Sequence, residues 1–362
     1  MDFALSDDQE SLGAAARSLL DGFASPTQVR GHMASGDAYD AALWMAMVSQ
    51  GWVGIAVPEK HGGIGLGWVE AAVLLGEVGR HTAPAPLLPT LVALAALVDS
   101  SDAGGPGGDH IEAVAAGERL AAVAWSRDPH AVRAQQSPGG SWTLTGRTDP
   151  AEALSAADLV VVPAGDELFL VDCSAAGRPS AEPAMDGTRA LARLELDATP
   201  VERVGGTEAV CRLLDRGALG ASAEMLGGSE RVLEMATQYA KDRVQFGQPI
   251  GSFQAVKHRC ADMLVDVEGM RSVVWHGAWS LSAGDASIAA STAKVWCADA
   301  AKRTMSSGLQ VHGGIGFTWE HDLHLYLKRS QFDRLHFGDA AFHRTRLAGL
   351  LRAEIRAGRS VI

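Results

Sequence analysis

The chain has 362 residues, of which 47% are hydrophobic, and its formal net charge at pH 7 is −12. This apolar content can fill a large folded core and excludes an intrinsically disordered chain. The acidic balance argues against nucleic acid or an anionic membrane as the main partner. Because the sequence contains no uninterrupted run of about 18 apolar residues, it predicts no membrane-spanning helix.

The cysteines and the N-terminal residues indicate the cellular compartment. The N-terminus has neither the basic stretch nor the apolar stretch of a secretory signal. The cysteines lie far apart without a CxxC pair, which fits neither a zinc site nor a disulfide framework. We therefore expect a cytoplasmic protein with reduced, buried thiols. The four cysteines are Cys173, Cys211, Cys260 and Cys297.

The first third of the sequence predicts helices. Ser6 and Gln9 stand three residues apart before an apolar repeat, which is the spacing of a capping box. A glycine-rich loop at 61–65 and prolines between 84 and 89 interrupt further helical stretches. We expect an N-terminal helical domain over residues 1–118. The apolar residues that share the first helix face are Leu12, Ala15, Ala16, Leu19, Leu20 and Phe23.

The middle third has the pattern of strands. Residues 142–146 predict a short strand, and the apolar runs 159–162 and 168–171 predict a hairpin around a turn at 164–166. Apolar residues then alternate with charged ones, which indicates a half-buried strand. We expect a small, shortened β-barrel-like domain over residues 119–203. The alternating apolar residues are Ala192, Leu194 and Leu196.

The last third, over residues 204–362, is helical throughout. Two apolar stripes recur at helical spacing, and long apolar helices joined by short loops predict an antiparallel four-helix bundle. The chain is therefore expected to be an α+β protein with helical, β and helical domains in that order. The stripes consist of Val232, Met235, Ala236, Tyr239 and Ala240, and of Val256, Cys260, Met263, Leu264 and Val267.

Two segments of the C-terminal third carry the most specific functional signal. The first reads RVQFGQPIGSFQ at 243–254, and the second reads QVHGGIGFT at 310–318. Both resemble signatures of the acyl-CoA dehydrogenase family and stand at a suitable separation. The segment PEKHGGIG at 58–65 and the strand at 142–146 also resemble that family. The resemblance implies the acyl-CoA dehydrogenase fold, with bundles that pack into dimers and tetramers.

The same resemblance implies a flavin adenine dinucleotide (FAD) site. An arginine at a helix end suits a diphosphate because it is always charged and gives directed donors. Glycines without side chains let a ligand approach the backbone closely. In the family, the matching residues hold the adenine and diphosphate end of an FAD that is bound mainly to a neighbouring subunit. The residues in this chain are Arg243, Phe246, Gln254, Gln310, Gly313 and Gly314.

The family's catalytic base is not found at its usual place. The reaction of the family removes a proton α to the thioester, which requires a carboxylate, while the β hydride passes to the flavin. Most members have a glutamate at the position of Phe337, and others have one near the position of Gly217. Asp339 is a weak candidate for a displaced base, because it is shorter and lies two residues away. Glu320 is expected to be structural or at an interface, and Glu224 has no motif support.

The middle domain also departs from the family pattern. Family members cradle the flavin ring with a Thr-Glu-Pro…Gly-Ser-Asp loop and a Trp-Ile-Thr-Asn-type strand. The corresponding stretches here read AWSRDP at 124–129 and RTDPAE at 147–152. The surface for this chain's own flavin ring is therefore expected to be eroded, whereas the arm that reaches a neighbour's FAD is retained.

This asymmetry resembles one subunit of the heteromeric (α2β2) acyl-CoA dehydrogenases of actinobacteria. The resemblance implies α,β-dehydrogenation of an acyl-CoA thioester, in complex with a second acyl-CoA dehydrogenase-like chain that supplies the catalytic glutamate. The enzymes of this group often act on CoA thioesters of steroid side chains. An electron-accepting flavoprotein would then reoxidise the FAD. Neither nucleic acid nor a membrane is an expected partner.

Other interpretations of the sequence remain open. The chain could be a self-sufficient homo-oligomer with Asp339 as its base, a scaffold that binds no flavin, or an acyl-CoA oxidase. A metal site is not expected, because the histidines near the second segment include no HExxH or Glu-x-x-His motif. These histidines are His312, His321, His324 and His336.

Overall fold

The computed structural model describes residues 5–284 and 286–360, except for the side chains of residues 175 and 176. Residues 1–4, on which the expectation about a secretory signal partly rests, lie outside the described part. The chain forms two compact units. One consists of Met1–Pro26, Ala72–Ala83 and Ala218–Ile362, and the other of Thr27–Ala71 and Pro84–Gly217.

Twelve α-helices occur in the described residues. Three 3₁₀ turns, at Glu59–His61, Ile250–Ser252 and Gly313–Phe317, accompany them. The helices are α1 (Asp7–Phe23), α2 (Pro26–Ser35), α3 (Ala41–Ser49), α4 (Trp68–Arg80), α5 (Leu87–Asp102), α6 (Gly108–Ala115), α7 (Cys173–Ala176), α8 (Thr207–Asp242), α9 (Gln254–Ala283), α10 (Ser287–His312), α11 (Leu323–Leu335) and α12 (Ala340–Arg356).

In chain order, most of the strands come between the N-terminal and the C-terminal helices. The last two, β9 and β10, form a small hairpin after α8. The strands are β1 (Ala121–Val123), β2 (Val132–Gln136), β3 (Trp142–Arg147), β4 (Ala151–Glu152), β5 (Leu159–Ala164), β6 (Glu167–Asp172), β7 (Leu191–Ala192), β8 (Glu195–Gly205), β9 (Val244–Gln245) and β10 (Gln248–Pro249).

The main sheet has six strands in the order β1-β5-β6-β8-β3-β2, and β4 and β7 pair separately. Its outer strands β1 and β2 are not neighbours in this order, so the pairing is that of an open sheet. A barrel would require its end strands to pair, and the three-residue β1 pairs only with β5 among the described strands. The middle domain that the sequence predicts as barrel-like therefore contains a six-stranded sheet whose end strands do not pair with each other.

Local sequence patterns gave several correct elements. The Ser6 hydroxyl accepts a hydrogen bond from the Gln9 amide, and the Gln9 side chain accepts one from the Ser6 amide, which confirms the capping box. The β5–β6 hairpin closes over Gly165 at φ +62°, as predicted. The strand predicted through Leu194 is instead interrupted, because β7 ends at Ala192 and β8 begins at Glu195.

The predicted bundle corresponds to the four long helices α8, α9, α10 and α12, with the shorter α11 between the last two. One apolar cluster joins the C-terminal ends of α8 and α10 to α11 and to the start of α9. Leu264 was predicted to belong to the buried stripe of α9, but 49% of its surface is exposed. The buried members of the cluster are Val232, Ala236, Ala240, Met263, Met305, Val311, Leu323 and Tyr326.

A buried ion pair connects two of the helices in the same unit. Glu224 of α8 lies 3.4 Å from the guanidinium of Arg329 of α11, and both side chains are almost fully buried. Arg329 also donates to the carbonyl oxygens of Thr82 and Ala83, just beyond the end of α4. Glu224 thus balances a buried cation that fixes the end of α4, which is a structural role.

None of the helices in the described ranges is both long and apolar enough to cross a membrane.

We expect Glu224→Ala to lower the free energy of unfolding by about 3 kcal/mol or more, because a buried charge would lose its counter-ion. Urea unfolding at neutral pH measures this loss. The matched control is Glu268→Ala, since the Glu268–Arg271 pair is exposed and should be worth less than about 1 kcal/mol. Equal losses in the two variants would contradict the role given to Glu224.

Candidate FAD-binding arm and base position

The two motif segments meet through an aromatic stack. The ring of Tyr239, one turn before the end of α8, lies 4.6 Å from that of His312, the last residue of α10, with 23° between the planes. The backbone amide of Arg243 donates to the carbonyl of Tyr239 at 2.9 Å, and Gly313 follows His312 directly. The stack therefore places the start of the first motif beside the glycine pair of the second.

The ring of His312 is held in place on its other side. Its Nδ1 lies 2.8 Å from the Gly308 carbonyl, so this nitrogen is assigned as the proton donor. Burial lowers the pKa of His312, and the nearby His321 lowers it further, while the bond to Gly308 opposes the shift. The imidazole is therefore neutral at physiological pH and acts as a packing surface for Tyr239.

The first motif forms a tight hairpin. Strands β9 and β10 are joined by Phe246 and Gly247, at φ +54° and +78°, the pattern of a type I′ turn. Asparagine is the usual first residue of such a turn, and a bulky residue at positive φ is strained. The ring of Phe246 is nevertheless 92% exposed. A strained backbone that presents an aromatic ring to solvent favours a binding role for this ring.

The second motif forms an open turn. Gly313 has φ +63° and ψ −142°, a conformation that essentially only glycine adopts. A Cβ atom built on Gly313 or Gly314 would meet no other atom within 4 Å. The space beside the turn is therefore open to a ligand. Gln254, at the start of α9, and Gln310, near the end of α10, are also exposed.

This arm, defined as residues 243–254 and 310–314, fits the diphosphate end of FAD. The Arg243 guanidinium is exposed and makes no hydrogen bond or ion pair with residues 5–284 or 286–360. Its charge is therefore available to an external anion. The open glycine pair allows such a ligand to reach the backbone.

The usual base position is filled by packing. Phe337 is fully buried and has φ +55°, and its ring lies 4.1 Å from that of His336. Two buried side chains hold the surrounding backbone. Lys294 of α10 donates to the carbonyls of Asp333 and His336, and His343 of α12 lies 2.8 Å from the Phe337 carbonyl. The backbone at this position is thus held by Lys294 and His343, and the side chain belongs to the core.

The other candidate carboxylates have different surroundings. Asp339 accepts a hydrogen bond from the Phe342 amide at 2.8 Å and is the N-cap of α12. Glu320 is exposed on the loop before α11, and Glu224 is paired with Arg329 as described above. Gly217 is buried within α8. The cap gives Asp339 a structural function that does not depend on catalysis.

The two departing stretches of the middle domain lie together. The Asp149 amide donates to the Ser126 hydroxyl, and the Asp149 carboxylate accepts from the Arg127 amide at 2.9 Å. Glu152, at the end of the second stretch, is buried in an ion pair with Arg189, which also donates to the Ala85 carbonyl. A charged, buried pair therefore stands in the segment that carries the threonine of the flavin cradle in the resembled family.

Sequence reasoning missed the residues that hold these features. Lys294 and the Tyr239–His312 stack depend on neighbours 39 to 73 residues away, and His343 reaches back six residues to the Phe337 carbonyl, so no sequence motif indicates these contacts. The histidines considered for a metal have other contacts: His321 Nδ1 accepts from the Leu323 amide, and His324 packs on Trp319. Within the described ranges, no group of three potential ligands is positioned for a metal ion.

Comparison with known proteins assigns the family. Residues 6–100 match the model for the acyl-CoA dehydrogenase N-terminal domain, and residues 204–351 match the model for the C-terminal domain. The chain belongs to the acyl-CoA dehydrogenase family. Its members are FAD-dependent oxidoreductases. The fold class predicted from the sequence is thereby confirmed.

Relatives and solved structures agree with this assignment. The acyl-CoA dehydrogenase IpdE2 of Mycobacterium tuberculosis is 34% identical over 330 residues, covering 90% of this chain and 91% of the relative. The ChsE4–ChsE5 complex from M. tuberculosis contains a chain with 29% identity and a TM-score of 0.88, covering 97% and 99%. A variant of the Tcur3481–Tcur3483 steroid acyl-CoA dehydrogenase contains a chain with 30% identity and a TM-score of 0.90, again covering 97% of this chain and 99% of the other.

The contact of His343 with the Phe337 carbonyl at the base position predicts a dependence of stability on pH. Burial lowers the pKa of His343 to about 4, and the neighbouring Lys294 and Arg346 act in the same direction. The unfolded chain, with its histidine near pKa 6.5, then binds more protons between pH 6.5 and 4, so stability falls as the pH falls through this range.

We expect His343→Gln to remove about 2 kcal/mol of the stability loss between pH 7 and pH 5. Glutamine keeps an N–H donor for the Phe337 carbonyl but does not titrate. Urea unfolding of both proteins at the two pH values measures the difference. His258→Gln, at an exposed position of α9, should leave the loss unchanged. If the two variants lost the same amount of stability between pH 7 and pH 5, the role given to His343 would be contradicted.

Proposed function

We propose that this chain is the FAD-gripping, base-lacking subunit of a heteromeric acyl-CoA dehydrogenase. An unlike acyl-CoA dehydrogenase chain binds most of the FAD and supplies the glutamate that removes the α proton of the acyl-CoA. The observation that carries the proposal is the contrast between an open, exposed arm and a base position filled by the buried ring of Phe337.

Different residues of the arm bind different parts of FAD. The Arg243 guanidinium neutralises the diphosphate charge, and the turn at Gly313 and Gly314 lets the phosphates approach the backbone. Phe246, Gln254 and Gln310 contact the adenine half. When bound, FAD accepts the hydride from the β carbon of the thioester. Five of these six residues are exposed and Gly313 is half-buried, which supports a cofactor that is carried by another subunit.

The relatives support a narrower substrate class. Two of the structural matches are a two-chain complex and a steroid acyl-CoA dehydrogenase. We therefore propose a CoA thioester of a steroid-derived acid as the substrate of the complex. A second flavoprotein then takes the electrons from the reduced FAD.

The role of Arg243 is tested in the complex with the unlike acyl-CoA dehydrogenase chain of the proposed heteromer. Arg243→Ala should weaken FAD retention by about 10-fold to 100-fold, the usual value of charge-assisted hydrogen bonds. Flavin absorbance after dialysis against a series of FAD concentrations measures the affinity. The matched control is Arg352→Ala, an exposed arginine of α12. Unchanged affinity in the Arg243 variant would contradict the proposed grip.

Asp339→Asn separates the proposal from a self-sufficient enzyme with a displaced base. Asparagine preserves the N-cap of α12 but is not a base. We expect the complex that carries this variant to keep its FAD and its turnover with acyl-CoA substrate within about twofold, because the proton is removed by the partner's carboxylate. If turnover were abolished while FAD stayed bound, Asp339 would be the base and the proposal would fail.

A further inference from the structure

An exposed aromatic pair follows the glycine turn of the arm. Phe317 is 72% exposed and Trp319 is 68% exposed, although large aromatic side chains are usually covered in a folded protein. Ile315, on the same loop, is 46% exposed. Neighbouring apolar side chains left in solvent typically mark an interaction surface.

The indole of Trp319 is held in one orientation. The Lys328 ammonium lies 4.2 Å from its ring centroid, which is a cation–π contact. The His324 ring stands edge-on at 5.0 Å, and His324 Nε2 lies 3.2 Å from the Trp319 carbonyl. Because these contacts already restrict the side chain, less conformational entropy is lost when a partner covers it.

The loop itself is also braced from inside. The Thr318 amide and hydroxyl both donate to the Ile315 carbonyl, at 3.1 and 3.0 Å. Gly316 is buried, and a Cβ there would come within 3.3 Å of the Leu309 carbonyl and of the Leu323 side chain. The aromatic rings therefore project from a fixed base, which is how anchor residues of protein interfaces are presented.

The position of the pair identifies the partner. In the 3₁₀ turn, with a rise of about 2.0 Å per residue, Phe317 lies only about 6 Å along the axis from Gly314. An FAD gripped at Gly313 and Gly314 but carried by another subunit brings the surface of that subunit next to Phe317 and Trp319. Acidic Glu320 and Asp322 follow the aromatic pair in the sequence, and their negative charge does not suit an anionic lipid surface.

We infer that Trp319, with Phe317, is the anchor by which this chain docks on the FAD-bearing unlike subunit. The inference rests on the proposed function and adds to it the residue that carries the subunit contact. The Lys328–Trp319 contact positions the ring, so cofactor grip and subunit docking lie on one continuous stretch, residues 310–319.

The test uses the complex of the full chain with the unlike acyl-CoA dehydrogenase chain of the proposed heteromer. Trp319→Ala should raise the dissociation constant between the subunits by about 30-fold or more, as for an interface anchor. Sedimentation of a dilution series measures this constant. Lys328→Met removes the cation but keeps the stem, and should give a smaller rise. Phe23→Ala, at an exposed aromatic of α1, should change the constant by less than about threefold.

The outcomes separate the docking inference from the proposed function. A complex that forms, carries FAD and is unaffected by both Trp319→Ala and Phe317→Ala would overturn the inference alone. Self-association of the lone chain that depends on Trp319 would also overturn it, because the occupant would be a second copy. If no FAD-containing complex with the unlike chain formed, the proposed function would fail and the inference with it. Melting curves monitored by circular dichroism establish that each variant is folded.

Discussion

The stack of Tyr239 on His312 is the contact on which the candidate site depends. It joins the last turn of α8 to the last residue of α10. The two motif segments, which begin 67 residues apart at 243 and 310, are therefore held next to each other. The apolar cluster beneath it keeps the two helix ends together. Because Arg243 and Gly313 each follow one partner of the stack, a rigid helix–helix contact defines where a phosphate could be held.

The arm presents a strained aromatic residue to solvent, whereas the base position is buried. Phe246 adopts a positive φ, which lowers stability, and its ring stands largely in water, edge-on to the half-buried Phe253. Phe337 also has a positive φ, but its ring is buried and its carbonyl is held by His343. The first arrangement fits a surface that a partner completes, and the second fits a site that has become part of the core.

Sequence patterns predicted what is local and missed what is long-range. The capping box at Ser6 depends on a spacing of three residues, and the β5–β6 hairpin on a two-residue turn, so both could be predicted. The apolar stripe of α9 did not reveal that Leu264 faces outward, because periodicity defines a face but not what covers it. The contact of Lys294 with the His336 carbonyl comes from a helix 42 residues earlier in the chain, and the contact of His343 with the Phe337 carbonyl follows no motif.

The most direct test is to count FAD in the purified chain and in its complex with the proposed unlike acyl-CoA dehydrogenase chain. If the arm only completes a cofactor site carried by the other subunit, the lone chain will bind essentially no FAD, and the active complex will contain one FAD for each pair of unlike chains. A lone chain that fills with FAD and dehydrogenates acyl-CoA would contradict this account.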